Sequence, residues 1–214
     1  MSDKILGAVA VLVLAVSVIP DLATAQTPER QKAVLITGAT SGIGRLATEK
    51  LASEGYYVYA GARKDSDIEA LNRIENVTAV RLDVTRQEEI DAAVRFVESE
   101  GRGLWGLVNN AGINIIDPLI EADESDLRFL FDVNVFGVFR VTSAFAPQII
   151  ESGGRIVNIS SISGVLAGSL TSYGMYSMSK HAVEAYTDQL ASEMASLGVS
   201  VSAIEPGNFR SQIG

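Results

Sequence analysis

Ala33-Val-Leu-Ile-Thr37-Gly-Ala-Thr-Ser-Gly42-Ile-Gly44 decides the fold of this chain. A short uncharged run from Ala33 to Thr37 breaks into glycines, and a periodic segment then extends to Glu54 before Gly55. The first pattern predicts a strand buried on both faces, the second a helix stopped by glycine. Glycines between them let the backbone turn tightly and approach a ligand, while the helix start offers unpaired amides and the positive end of its dipole. The ligand that suits this arrangement is a pyrophosphate, so Gly38, Thr40, Ser41, Gly42, Ile43 and Gly44 are expected to bind a dinucleotide. The spacing is Thr-Gly-x-x-x-Gly-x-Gly rather than Gly-x-Gly-x-x-Gly. The order strand, loop, helix carries more weight than the glycines alone.

Moving outward, a second strand is expected over Tyr56 to Gly61, ending in Ala62-Arg63-Lys64. An acidic residue at this strand end would hold a ribose 2'-hydroxyl, whereas a small residue followed by arginine accommodates a 2'-phosphate. The cofactor choice is therefore NADP over NAD, with Arg63 as the discriminating residue and nearby Asp65 the one feature that speaks for NAD. A third strand, Val77 to Leu82, finishes at Asp83 and Val84. Asp83 is a candidate for the adenine amino group; alternatively it serves the turn that follows. Thr85-x-x-Glu88 reads as a capping box opening a helix towards Gly101.

In the middle of the chain, Leu107-Val-Asn-Asn-Ala-Gly112 reads as a fourth strand running into Asn110, Ala111 and Gly112. Small residues there permit close approach by a ligand, and asparagine amides can brace neighbouring strands. Asp123 or Ser125 caps a long helix whose apolar stripe contains one amide, Asn134, which needs partners and points to a helix irregularity or a structural water. A fifth strand, Arg155 to Ser160, delivers Ser161 to its carboxyl end. Tyr176-Ser-Met-Ser-Lys180 then sets a phenol and an ammonium one helical turn apart. A nearby cation favours the phenolate and brings the tyrosine towards proton exchange with an alcohol or carbonyl. A sixth strand is expected over Val199 to Glu205.

Composition sets the outer limits. The 214 residues are 47% hydrophobic and 20% charged, enough for one globular domain with a large core, and nothing repeats. A net charge of −9 argues against a nucleic-acid partner. With no cysteine and His181 as the one histidine, thiolate chemistry and disulfides are excluded, and no metal site is expected. Gly-x-Ser-x-Gly is absent, which leaves a Ser/His/Asp hydrolase without its strand-to-helix signature. At the amino end, Ile5 to Ile19 is an apolar run followed by Pro20 and Ala23-Thr24-Ala25. Two readings stand: a signal peptide cleaved near Ala25 with export, or an uncleaved membrane anchor. A soluble nicotinamide pool favours the anchor, with the domain facing the cytoplasm. The division is then 1–25 hydrophobic segment, 26–32 linker, and 33–214 dinucleotide-binding catalytic domain.

Taken together, Thr37-Gly38-x-x-x-Gly42-Ile-Gly44, Asn109-Asn-Ala-Gly112, Asn134, Ser161 and Tyr176-x-x-x-Lys180 resemble the short-chain dehydrogenase/reductase family, from Ala33 onward and in order. Gly103-Leu-Trp-Gly-Leu-Val and Ile204-Glu-Pro-Gly-Asn-Phe209 look most like its retinol, hydroxysteroid and 3-hydroxybutyrate dehydrogenase branch. The resemblance implies an α/β, Rossmann-like doubly wound parallel sheet with helices on both faces. It implies hydride exchange between NAD(P) and a secondary alcohol or ketone, with an apolar small-molecule substrate. Tyr176 would be the acid/base and Ser161 would hold the reacting oxygen. Lys180 would lower the Tyr176 pKa and contact the nicotinamide ribose, and Asn134 would hold a water linking Lys180 to solvent. Pro206 and Gly207 would lie near the nicotinamide, and Ser211 stands where relatives carry a threonine for the carboxamide. Relatives also pair subunits through the helices beginning at Asp123 and at Tyr176, which makes a homo-oligomer the expected assembly.

Two departures qualify the pattern. Ser161 precedes Tyr176 by fifteen residues, across a longer loop from Gly168 to Tyr173, so Ser163 competes on spacing and Ser161 on its place at the strand end. Relatives also continue beyond the sixth strand through a substrate lid and a last strand, neither of which is encoded before Gly214. The rival reading is a non-catalytic, membrane-associated dinucleotide-binding protein or inactive relic.

Overall fold

The computed structural model describes residues 31–166 and 173–207. The hydrophobic segment 1–25, most of the linker 26–32, Ser211 and the loop residues before Tyr173 from position 167 lie outside the described residues. Six strands form one parallel sheet: β1 (Ala33–Ile36), β2 (Tyr57–Ala62), β3 (Val77–Arg81), β4 (Gly106–Asn109), β5 (Arg155–Ile159) and β6 (Ser200–Ile204). Their order is β3-β2-β1-β4-β5-β6. β1 is central, with Val34 beside Val58 of β2 on one side and Gly106 of β4 on the other. The chain winds outward from β1 to β3, then returns to β4. That reversal opens a crevice at the carboxyl ends of β1 and β4.

Alternation along buried strands supplies both faces of the sheet. Val34, Ile36, Val58 and Ala60 pack with Ala52 of α1 (Gly42–Ser53) and Leu71 of α2 (Asp65–Leu71). Leu35, Tyr59, Leu107 and Ile156 pack instead with α3 (Gln87–Ser99), α5 (Gly137–Glu151) and α6 (Gly174–Ala195), through Ile90, Val97, Phe145, Ile149 and Met194. Each fully buried aliphatic side chain of this kind contributes about 1.5–3 kcal/mol relative to exposure. The doubly wound α/β architecture read from the sequence is the one observed.

Ahead of α5 run α4 (Glu124–Phe131) and a π-helical segment, Asp132–Phe136, with Asn134 at its centre. The irregularity expected at Asn134 is this π segment. Arg140 fixes it by donating to the Asp132 carboxylate at 2.6 Å. The run Glu124–Glu151 is apolar and long enough to cross a membrane. Val141, Phe145 and Ile149 within it are fully buried in the core, which accounts for that hydropathy.

Three local expectations change. β2 starts and ends one residue later than expected. No element was expected over α2, a seven-residue helix in which Leu71 alone is buried. The capping box at Thr85 does not form. Both the amide and the hydroxyl of Thr85 donate to Asp83 Oδ1, at 2.9 and 2.7 Å, so α3 begins after Arg86. Glu89, not Glu88, then reaches back to accept the Asp83 N–H at 2.9 Å.

Candidate active site

The glycine loop is built as its sequence requires. Gly38 and Gly42 adopt φ of 64° and 53°, the left-handed region that glycine enters without a Cβ penalty. A Cβ on Gly44 would sit 2.3 Å from the Gly38 carbonyl oxygen and 2.4 Å from Asn110 Nδ2. Ser41, at the N-cap of α1, is extended and makes no side-chain bond to the first turn. The amides of Gly42, Ile43 and Gly44 therefore have no side-chain cap, and the residues present fit a dinucleotide diphosphate.

Thr37 and Asn110 stitch the crevice from either side. Thr37 Oγ1 accepts the N–H groups of Asn110 and Ala111, both at 2.9 Å. Asn110 Nδ2 returns bonds to the carbonyls of Thr37 and Gly38 at 2.9 and 3.0 Å. Asn110 thus shapes the loop with its side chain. Deeper in the sheet, Asn109 Nδ2 donates to Thr142 Oγ1 and Asn158 Oδ1, each at 2.8 Å, the bracing role expected of an amide there.

Gly38, Thr40, Ser41, Gly42, Ile43, Arg63, Asp83, Val84, Asn110, Ala111, Gly112, Ser161, Tyr176, Lys180, Pro206 and Gly207 line one cleft of about 470 Å³. Gly44 and Asn134 stand behind its wall. At the β2 and β3 ends, Asp83 does serve its turn through Thr85, while its other oxygen faces Arg63 Nη1 at 3.7 Å. Burial alone would raise the Asp83 carboxyl. The Thr85 bonds and the charges of Arg63 and Arg86 outweigh it and hold the group below the usual carboxylate range. Asp65 is 87% exposed, bound by Arg81 and outside the cleft lining. Asp67 does line the cleft, beside Lys64.

β5 delivers Ser160 and Ser161, both buried, to the opposite side. Ser161 Oγ accepts the Ser163 N–H at 3.1 Å, and Ser161 rather than Ser163 is the serine that bears on the Tyr176 phenol. Tyr173 lies edge-on to Tyr176, ring centroids 6.4 Å apart. Lys180 is 5% exposed; its Nζ donates to the Ile159 carbonyl at 2.8 Å and lies 5.6 Å from the Tyr176 ring centroid. Asn134 ties the β4 loop to α6: it exchanges bonds with the backbone of Ile113 at 2.8 and 2.9 Å and donates to Ser179 Oγ at 3.1 Å. On the Asn134 side chain, the remaining Oδ1 lone pair is the place for a water between Asn134 and Lys180.

The electrostatics differ from the expected lowering of the tyrosine. Burial pushes the Tyr176 phenol above its ordinary value, and the influence of Ser161 only partly opposes this. Burial also pulls the Lys180 amine down to about 8, against the raising influence of Glu184. The lysine charge is thus weakened by the same enclosure that raises the phenol. His181 is exposed, its ring set on the Ser177 carbonyl at 2.9 Å, and it takes no part in the cleft lining.

The sequence reading assigned no role to several lining residues, among them Lys64, Asp67, Ile113 and Asn114. Lys64 and Asp67 belong to the start of the unexpected α2. Asn114 bears a buried Oδ1 with no hydrogen-bond partner, and only its place two residues after Gly112 could have marked it.

A family model of short chain dehydrogenases matches residues 32–214. The mitochondrial D-beta-hydroxybutyrate dehydrogenase of Bos taurus is 41% identical over 192 residues, covering 85% of this chain and 55% of that protein. Retinol dehydrogenase 16 of Homo sapiens is 40% identical over 192 residues, covering 86% of this chain and 59% of its own. This chain therefore spans little more than half the length of these relatives. Among solved structures, a short-chain dehydrogenase from Streptomyces avermitilis superposes with a TM-score of 0.79 at 38% identity, covering 86% of this chain and 69% of that one. A gluconate 5-dehydrogenase from Burkholderia cenocepacia, in complex with NADP and tartrate, gives 0.80 at 29% identity, with 85% and 73% covered.

Proposed function

Because the chain belongs to the short-chain dehydrogenase/reductase family, we propose that residues 33–214 form an NADP(H)-preferring oxidoreductase interconverting a secondary alcohol and its carbonyl compound. The observation that carries this reading is that the Tyr176 phenol, a buried strand-end serine and a buried lysine line one cleft with the glycine loop. A bound nicotinamide supplies or receives the hydride. Tyr176 gives its proton to the carbonyl oxygen in reduction and takes one from the alcohol in oxidation. Its raised pKa keeps the phenol protonated at neutral pH, the form that reduction needs. Ser161 donates to the reacting oxygen as charge develops there. Lys180 places positive charge beside the phenol, and Asn134 holds the β4 loop and α6 in register.

Ala62, Arg63 and Lys64 support NADP: a small strand-end residue followed by two cations suits a 2'-phosphate. Ile116, Leu119 and Ile120 after β4, with Ile162, Val165 and Leu166 after β5, are exposed apolar side chains that support an apolar substrate. Half-exposed Phe129, Phe136 and Phe139 support subunit pairing through the helices around Asn134. The apolar run 5–19 supports membrane association, and use of a soluble nicotinamide cofactor supports a domain facing the cytoplasm.

The test is loss of nicotinamide absorbance when the purified chain meets NADPH and a panel of ketones. Arg63→Ala should shift the NADPH-to-NADH ratio of kcat/KM towards NADH by at least about tenfold, the worth of a charge-assisted phosphate contact. Absence of turnover with every ketone, or an unchanged ratio, would count against the respective claim.

A further inference from the structure

Glu184 stands one turn beyond Lys180 on α6, as Lys180 stands one turn beyond Tyr176. Residues four apart share a helix face, so three ionisable groups lie in one row. The proposed chemistry uses only two of them. The third has a carboxylate oxygen, Oε1, buried without a hydrogen-bond partner. Burying such an oxygen is costly unless an opposite charge compensates it.

Among the described residues, the surroundings of Lys180 leave Glu184 as its counter-charge. From β5 come the Ile159 carbonyl and Ser160, whose Oγ donates to the Lys180 carbonyl at 3.5 Å. From the turn Ile162–Gly164 comes Gly164, packed on the Lys180 backbone. The β4 loop brings Gly112 and the π segment brings Asn134. All of these are uncharged. On α6 itself, His181 is set on the Ser177 carbonyl and exposed, and among the described residues Tyr176 with Tyr173 completes the titratable set. The charge of Glu184 raises the Lys180 amine against the burial that lowers it.

We propose that Glu184 is a positioning residue whose carboxylate, through its charge rather than a bond, keeps Lys180 in the ammonium form beside Tyr176. It touches neither substrate nor dinucleotide. The kinetic consequence rests on the dehydrogenase reading, whereas the charge coupling is a property of the folded chain.

The experiment follows the lysine directly. The full chain carrying 13Cε-labelled lysine is titrated by NMR without added dinucleotide, and Lys180→Met identifies the resonance. Glu184→Gln should move the Lys180 midpoint, about 8 in the unaltered chain, downward by about one unit. Glu184→Asp, which keeps the charge, should leave it nearly in place. Glu184→Ala replaces the glutamine variant should that fail to fold. In turnover, Glu184→Gln should lose about fivefold in kcat/KM near pH 8, through kcat, and nothing near pH 6. A midpoint that stays put or rises in Glu184→Gln overturns the proposal whether or not any ketone is reduced. A midpoint that falls while no ketone is turned over supports the coupling and sinks the dehydrogenase reading instead.

Discussion

Lys180 buries a charge at the expense of stability. Its ordinary value of 10.5 falls to about 8 because enclosure penalises the ammonium. The folded pKa lies below the unfolded one, so the unfolded chain binds more protons between those two values. Stability therefore rises with pH through that window, and below about 8 the penalty is present in full. Its size is roughly 3 kcal/mol. Lys180→Met removes the charge but also the bond to the Ile159 carbonyl, so a net gain of about 2 kcal/mol is expected at neutral pH. That corresponds to a rise in Tm of roughly 4–8 °C, shrinking towards strongly alkaline pH, together with loss of carbonyl reduction. A melting series by circular dichroism checks it; a lower Tm at neutral pH would show that the ammonium stabilises the chain.

At the scale of elements, the loop between β1 and α1 is the least forgiving. Gly44→Ala would press a methyl group against the Gly38 carbonyl and the Asn110 amide, which also fix the loop to β4. The expected cost is roughly 1–3 kcal/mol of stability, with at least about a tenfold loss of NADPH affinity as the amides shift. Fluorescence titration measures this, and unchanged affinity would contradict the close approach. This loop was legible because glycine, strand and helix patterns reinforced one another. So were Tyr176 and Lys180, whose spacing fixes a shared face, and Asn134, an amide that needed partners in an apolar stripe. α2 was not legible: seven residues with one buried side chain leave almost no periodic signal. Thr85 misled for a different reason, since an Asp83 carboxylate two residues away competes for the donors a capping box needs. The direction of the Tyr176 shift depends on enclosure by distant segments, which spacing along the chain does not encode.

Over the whole molecule, the strand order gathers residues from Gly38 to Gly207 at the carboxyl edge of one sheet. The glycine loop, Arg63 with Lys64, and the Tyr176–Lys180 pair thereby share a cleft, although each lies on a different crossover. The family is shared with proteins named for hydroxybutyrate and retinol, substrates of unlike polarity. Family and fold thus leave the substrate to the loops after β4 and β5, where the exposed isoleucines and leucines lie. The most direct measurement is ketone-dependent NADPH oxidation by Tyr176→Phe, beside NADPH binding by the same variant. Binding within about twofold of the unaltered chain, with turnover reduced about 10²–10⁴-fold, is the expected result. Turnover that survives the loss of the hydroxyl would contradict Tyr176 as the acid/base.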